Sequence, residues 1–196
     1  MEKRTSKLPV YGQLAQAIAG EETDFRDYPG DEVALLAERH GVAPLLAHWF
    51  HEGRVTGLEE AIAARLQRYA RSRGLQDLVL NNDTRNFLEL LHEHDIPVLL
   101  LKGTPLAMLV YDRPFLRERC DSDVYIRETD VEALGELLAG RGYTVHNLGY
   151  RPASSKQFQA SIRTTRQVST FDIHFRVSSS ILLSRGCRPM VGSSST

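Results

Sequence analysis

The chain reads as an α+β protein, an N-terminal helical region followed by a mixed sheet with flanking helices. Apolar residues recur at helical spacing as far as Asp95. From Ile96 the pattern changes to continuous or alternating apolar runs of strand length, separated by helix signals. After Val177 apolar residues thin out and the chain ends Gly192-Ser193-Ser194-Ser195-Thr196, which reads as a disordered tail. The expected organisation is therefore a helical region over 1–95, a core over 96–177 and a tail over 178–196.

The helices come first. Asp31 is expected to cap a helix from Glu32 to His40, with Val33, Leu36 and Ala37 on one face and Gly41 closing it. Pro44 to Phe50 continues as a second short helix with proline in its first turn. Leu58, Ile62, Leu66 and Tyr69 form a helical stripe. Leu75 to His94 forms another, burying Leu80, Thr84, Phe87, Leu88 and Leu91. Gly74 either separates these two helices or sits inside one long helix at a cost of about 1 kcal/mol.

The strands follow. Ile96 to Leu101 is a continuous apolar run that suits a buried strand. Thr104 as N-cap and Pro105 at the first position then open a helix to about Val110. Asp112 to Cys120 is a charged loop and Asp121 to Ile126 a strand. Thr129 is expected to cap a helix to about Ala139, ended by Gly140 and Gly142 before a strand at Tyr143 to His146. Gln157 to Arg163 and Val168 to Val177 both alternate, and the four residues between them have hairpin length.

Bulk properties exclude several classes. With 196 residues, 42% hydrophobic and 25% charged, the chain has the composition of a soluble globular protein. Its 24 basic and 25 acidic side chains give no global pull toward nucleic acid or membrane. Cys120 and Cys187 are far apart and lack CxxC spacing, against a zinc site and in keeping with a reducing cytosol. The charged start has no apolar segment of the secretory kind, and no run is long enough to span a bilayer. A cytoplasmic protein is expected.

Asp121-Ser122-Asp123 carries the chemistry. Two carboxylates two residues apart on a strand point the same way, roughly 6.5–7 Å apart at standard rise, and both reach one cation. Upstream, Gly103 admits a close backbone approach at a helix start, where free N–H groups and the Thr104 hydroxyl face phosphate oxygens. Downstream, Asp172 on another alternating strand can bind a second metal and take the proton of an attacking hydroxyl. Magnesium suits such a site because it takes carboxylate, phosphate and water oxygens. Each element alone is common: a DxD is more often a solvated edge, and Gly-Thr-Pro simply a good helix start. Their order along the chain is much rarer.

The motifs Leu101-Lys102-Gly103-Thr104, Leu106-Ala107, Tyr111, Arg117, Asp121-Ser122-Asp123 and Asp172-Ile173-His174-Phe175 resemble nucleotidyltransferases of the polymerase-beta superfamily. More narrowly, they are similar to a bacterial group known as uncharacterised nucleotidyltransferases. The resemblance covers about Leu58 to Val177. It implies a polymerase-beta-like core over 96–177, with Asp121, Asp123 and Asp172 as catalytic metal ligands for Mg2+ or Mn2+. It also implies that Lys102, Gly103, Thr104 and Arg117 bind the nucleotide. Departures are Ser122 and Val124-Tyr125 around the second Asp, a long gap between Gly103 and Asp121, and an end soon after the third Asp.

The expected reaction moves a nucleoside monophosphate from a nucleoside triphosphate to an acceptor hydroxyl, in a small molecule, a protein or an RNA, and releases pyrophosphate. The alternative is a catalytically inactive or truncated relative serving as an antitoxin-like binding or regulatory module. In that reading a protein partner covers the incomplete C-terminal side. No Walker-type loop supports a kinase. Arg65, Arg68, Arg71 and Arg73 are a nucleic-acid candidate or, more simply, a solvated helix face. His92 and His94 cannot share a helix face, and His48 and His51 lack a visible third ligand. His174 is expected to orient the carboxylate or the acceptor, or to pair with Asp172.

Overall fold

The computed structural model describes residues 9–148, 156–164 and 167–176. The expected tail lies outside these residues, as do Val177 and Cys187. The chain forms two compact units that alternate along the sequence. One takes the described residues up to Asn82 together with Gly103–Cys120, the other Asp83–Lys102 together with those from Asp121 onward. Among the described residues no helix is long and apolar enough to cross a membrane.

The first unit is mainly helical: α1 (Val10–Ile18), α2 (Gly30–Arg39), α3 (Ala43–His51), the first part of α4 (Glu60–Glu93) and α5 (Gly103–Leu109). Two-residue strands β1 (Thr23–Asp24) and β2 (Val55–Thr56) pair in parallel. Its core gathers Leu14, Phe25, Val33, Leu46, Ile62 and Leu66. Asp31 does not cap α2: that helix begins at Gly30 after Pro29, without a side-chain cap bond. Asp31 lies in the first turn instead, where its charge favours the helix dipole. α3 carries Pro44 in its first turn, as its sequence predicts. α4 is one helix of 34 residues running through Gly74, so a single glycine without further breakers does not end it.

The second unit is a five-stranded mixed sheet in the order β3-β4-β7-β6-β5. Its strands are β3 (Val98–Leu101), β4 (Asp121–Ile126), β5 (Thr144–His146), β6 (Gln157–Arg163) and β7 (Val168–His174). Only β4 and β7 run parallel among these pairs. With α6 (Val131–Gly140), this gives the α+β class the sequence predicts. One sheet face supplies Val124, Ile126, Phe158, Ala160, Phe171 and Ile173 to a core completed by Phe87, Leu90 and Leu91 of α4 and Val131, Leu134 and Leu138 of α6. Phe87 stacks on Phe171 with ring centroids 4.3 Å apart.

Two buried polar contacts lie in the same unit. The hydroxyls of Thr84 and Ser122 meet at 2.9 Å, and Ser169 Oγ donates to Asp83 Oδ2 at 2.5 Å. They fix the register of α4 against β4 and β7, because a buried polar atom left unpartnered costs about 1–3 kcal/mol. Two expectations change here. The apolar run at Ile96 to Leu101 makes a four-residue edge strand with Leu99 60% exposed, not a buried one. Thr129 does not cap α6, which follows a 3-10 turn at Glu128–Asp130 and has Asp130 at its N-cap without a side-chain cap bond.

Candidate functional site

β4 sends Ser122, Val124 and Ile126 into the core and turns Asp121 and Asp123 to the opposite face. The parallel β4–β7 register sets Asp123 beside Asp172. Gln159 of β6 pairs with Asp172 in turn, and Leu101 of β3 pairs with Asp123. One row therefore crosses the sheet as Leu101, Asp123, Asp172, Gln159 and, on β5, His146. Paired residues share a face, so all three carboxylates stand on one side of two neighbouring strands. Asp123 is the most buried of the three at 7% exposure, with Asp121 and Asp172 intermediate.

Asp123 Oδ1 has two partners. Lys102 Nζ lies 2.5 Å away and His174 Nε2 3.0 Å away. A carboxylate only accepts, so His174 Nε2 carries a proton here, and its 3.5 Å approach to the Lys102 ammonium is a contact rather than a bond. His174 thus pairs with Asp123, not with Asp172. Its register partner is Tyr125, and it reaches Asp123 diagonally. Asp172 Oδ1 instead accepts from Gln159 Nε2 at 2.9 Å, a positioning contact that the sequence reading missed. The period-two spacing of Gln159 on an alternating strand was the only signal for it.

The electrostatics are those of an acidic row with one ammonium. Burial and the neighbouring carboxylates of Asp123 and Asp172 push the Asp121 carboxyl above its ordinary range, against a smaller opposing pull from Lys102. Hydrogen bonding to Asp123 holds the Lys102 ammonium above the usual lysine value, with Asp123, Asp172 and Asp121 adding attraction. Among the described residues no three His, Cys, Asp or Glu side chains close on one point as a metal ligand set. In charge and donor type the row fits a hard divalent cation, since it offers oxygen donors and more carboxylates than ammonium.

The other nucleotide-binding candidates belong to the helical unit. Gly103 and Thr104 start α5. The left-handed residue of this turn is Lys102, at φ +51°, so Gly103 is not required by its own backbone angle. Nor does packing demand it: a Cβ there would meet only the Arg119 and Arg117 side chains at ordinary contact distance, 3.6 Å or more. Thr104 is buried inside the helix rather than capping it, and its hydroxyl accepts from Arg119 Nη1 at 3.1 Å. Arg119 also donates to Asp77 at 2.5 Å and Asn81 at 2.6 Å. The sequence hint for that network was Asp77 and Asn81, one helical turn apart. Arg117 Nε is buried without a hydrogen-bond partner among the described residues.

Other candidates separate cleanly. Arg65 forks onto Glu38 at 2.8 and 2.9 Å, and Arg73 pairs with Glu118 at 2.9 Å. Half of the arginine cluster is therefore tied to carboxylates of its own unit, while Arg68 and Arg71 are exposed. His94 Nδ1 bonds the Leu90 carbonyl at 2.9 Å, a helix-terminus contact. His48 packs on Trp49.

A family model described as uncharacterised nucleotidyltransferase matches residues 30–186. No curated protein matches the chain.

Proposed function

The chain belongs to this family of uncharacterised nucleotidyltransferases, and from that premise we propose a metal-dependent transfer of a nucleoside monophosphate from a nucleoside triphosphate to an acceptor hydroxyl. The observation that carries the reading is the pairing of Asp123 with Asp172 across β4 and β7, with Asp121 two residues along on the same face. Asp121 and Asp123 would hold Mg2+ or Mn2+, with Asp172 a ligand to a second ion. Such an ion supplies charge neutralisation for the phosphoryl oxygens.

The chain's own residues do the rest. Asp172 takes the acceptor's proton as the acceptor oxygen bonds to the α-phosphorus and the bond to pyrophosphate breaks. Gln159 holds Asp172 Oδ1, which leaves the other oxygen oriented for that proton. Gly103, Thr104, Lys102 and Arg117 are assigned to the phosphates, Thr104 through its backbone N–H alone because its hydroxyl is buried against Arg119. Two observations favour this: the missing Cβ of Gly103 is not demanded by its own surroundings, and Arg117 Nε is buried without a partner.

Calorimetric titration of each nucleoside triphosphate with magnesium or manganese tests the reading, repeated on Asp121→Ala and followed by a labelled-nucleotide transfer assay. We expect metal-dependent binding that weakens in the variant. Binding and transfer both indifferent to Asp121 and Asp123 would exclude this site.

A further inference from the structure

We propose that Lys102 is a tethered counter-ion that competes with a divalent cation for Asp123, whereas His174 is a positioning residue that keeps Asp123 turned toward that cation. The inference rests on the carboxylate row being the metal position of the proposed function, and it adds distinct roles for two residues on one oxygen.

Both partners meet the same atom, Asp123 Oδ1, but they arrive differently. The side chain of His174 is 13% exposed, that of Lys102 61%. The imidazole is held within the sheet face by β7, while the ammonium reaches in from solvent on a flexible stem. With both acceptor directions of Oδ1 engaged, a cation that takes this oxygen must displace one of its two partners. The exposed, rotatable ammonium leaves at the smaller cost. A divalent ion bound at Asp123 would also stand within a few ångströms of that ammonium and repel it.

Lys102 occupies a conformation that supports this role. Its φ of +51° is uncommon for a residue with a Cβ. That backbone turn carries the chain from the end of β3, whose last residue Leu101 pairs with Asp123. The ammonium is therefore tethered one residue from the carboxylate's own strand partner. His174, by contrast, sits on the same strand as Asp172 and holds Asp123 Oδ1 through a diagonal reach of 3.0 Å across the parallel pair. Outer partners of metal-binding carboxylates typically change metal affinity about 10–100-fold when removed.

The two roles have opposite signs, which makes them measurable without any nucleotide. The free Mn2+ signal in electron paramagnetic resonance is followed while the full chain is titrated. Lys102→Met is expected to bind Mn2+ about three- to tenfold more tightly than wild type, as loss of one adjacent like charge implies. Lys102→Gly, which removes the ammonium and suits the left-handed turn, should tighten binding likewise and guards against a folding artefact in the first variant. His174→Ala should weaken binding about tenfold or more, and His174→Gln, which keeps an N–H donor, should recover part of it. Arg163→Met makes the same charge change on the same sheet face without touching the row, and should stay within about twofold.

Lys102 variants that bind Mn2+ no better than wild type would overturn the proposal, as would equal tightening in Arg163→Met or no Mn2+ binding in any chain. Opposite-signed shifts without nucleotidyl transfer would support these roles and count against the proposed reaction. Transfer with unshifted Mn2+ affinity in the lysine variants would do the reverse.

Discussion

The two faces of the five-stranded sheet are made by the same strands and obey different rules. On one face Val124, Phe171, Ile173, Phe158 and Ala160 meet Phe87, Leu91 and Leu134 in a closed core. On the other, Asp123, Asp172 and Gln159 stand in one register row with Asp121 beside them. The core face is bound mainly by volume, so apolar replacements of similar size are tolerated there. The acidic face is bound by position, with Lys102 and His174 holding Asp123 and Gln159 holding Asp172. A single backbone pleat thus carries the apolar core on one side and the carboxylates of the proposed reaction on the other.

Substitutions should separate the two faces. On the acidic side, Asp172→Asn is expected to lower nucleotidyl transfer about a hundred- to ten-thousandfold, the range for loss of a general base. Its melting temperature should barely move; a large loss of stability would mean that Asp172 is a structural residue. On the apolar side, Phe87→Ala removes the ring stacked on Phe171 and should cost about 3–5 kcal/mol of stability by chemical denaturation. Equal stability in that variant would mean that the stacked pair does not hold the unit together.

A smaller effect tests the polar contacts under the core face. Ser169→Ala leaves the buried Asp83 carboxylate without its hydroxyl donor and should cost about 1–3 kcal/mol. Replacing Thr84 and Ser122 together by Val and Ala should cost less, because their shared hydrogen bond is then removed from both sides at once. Denaturation of the single and double variants would show the ordering or reverse it.

The smallest expected effect concerns pH. The Asp121 carboxyl is held above its ordinary range in the folded protein, so the unfolded chain releases that proton first as pH rises. Stability from this group is full below the unfolded value and is lost as pH climbs to the folded one. Asp121→Asn should therefore melt slightly higher than wild type at neutral pH, with the difference fading once the pH falls below the ordinary carboxylate range. A variant less stable at neutral pH would show that the ionised carboxylate helps the fold.

Much of this was legible because alternation has a period of two and needs no partner to be read. Asp121 and Asp123 on one face of β4, and Phe171 and Ile173 on one face of β7, follow from the sequence alone. What alternation lacks is pairing. A continuous run such as Val98 to Leu101 looks the same at a sheet edge as in its middle, so the exposure of Leu99 was invisible. The link from His174 to Asp123 depends on the parallel register, which places it diagonally rather than alongside. Asp83, Asp77 and Asn81 are polar residues that turn inward because Ser169 and Arg119 wait for them. Composition alone assigns such residues to solvent. Asp31 and Thr129 failed as caps for a related reason, since capping depends on one backbone angle as much as on the residue type.

The sheet's core contains Phe87, Leu90 and Leu91, and these belong to a helix that begins at Glu60. A protease that cut between that helix and β3 would not release a self-sufficient sheet. It would leave a set of strands whose central aromatic partner had gone with the other fragment, and the two pieces would have to find each other again before either could hold its shape. Limited proteolysis in the short segment at His94 to Pro97 should therefore yield fragments that stay together in native buffer and part only in denaturant.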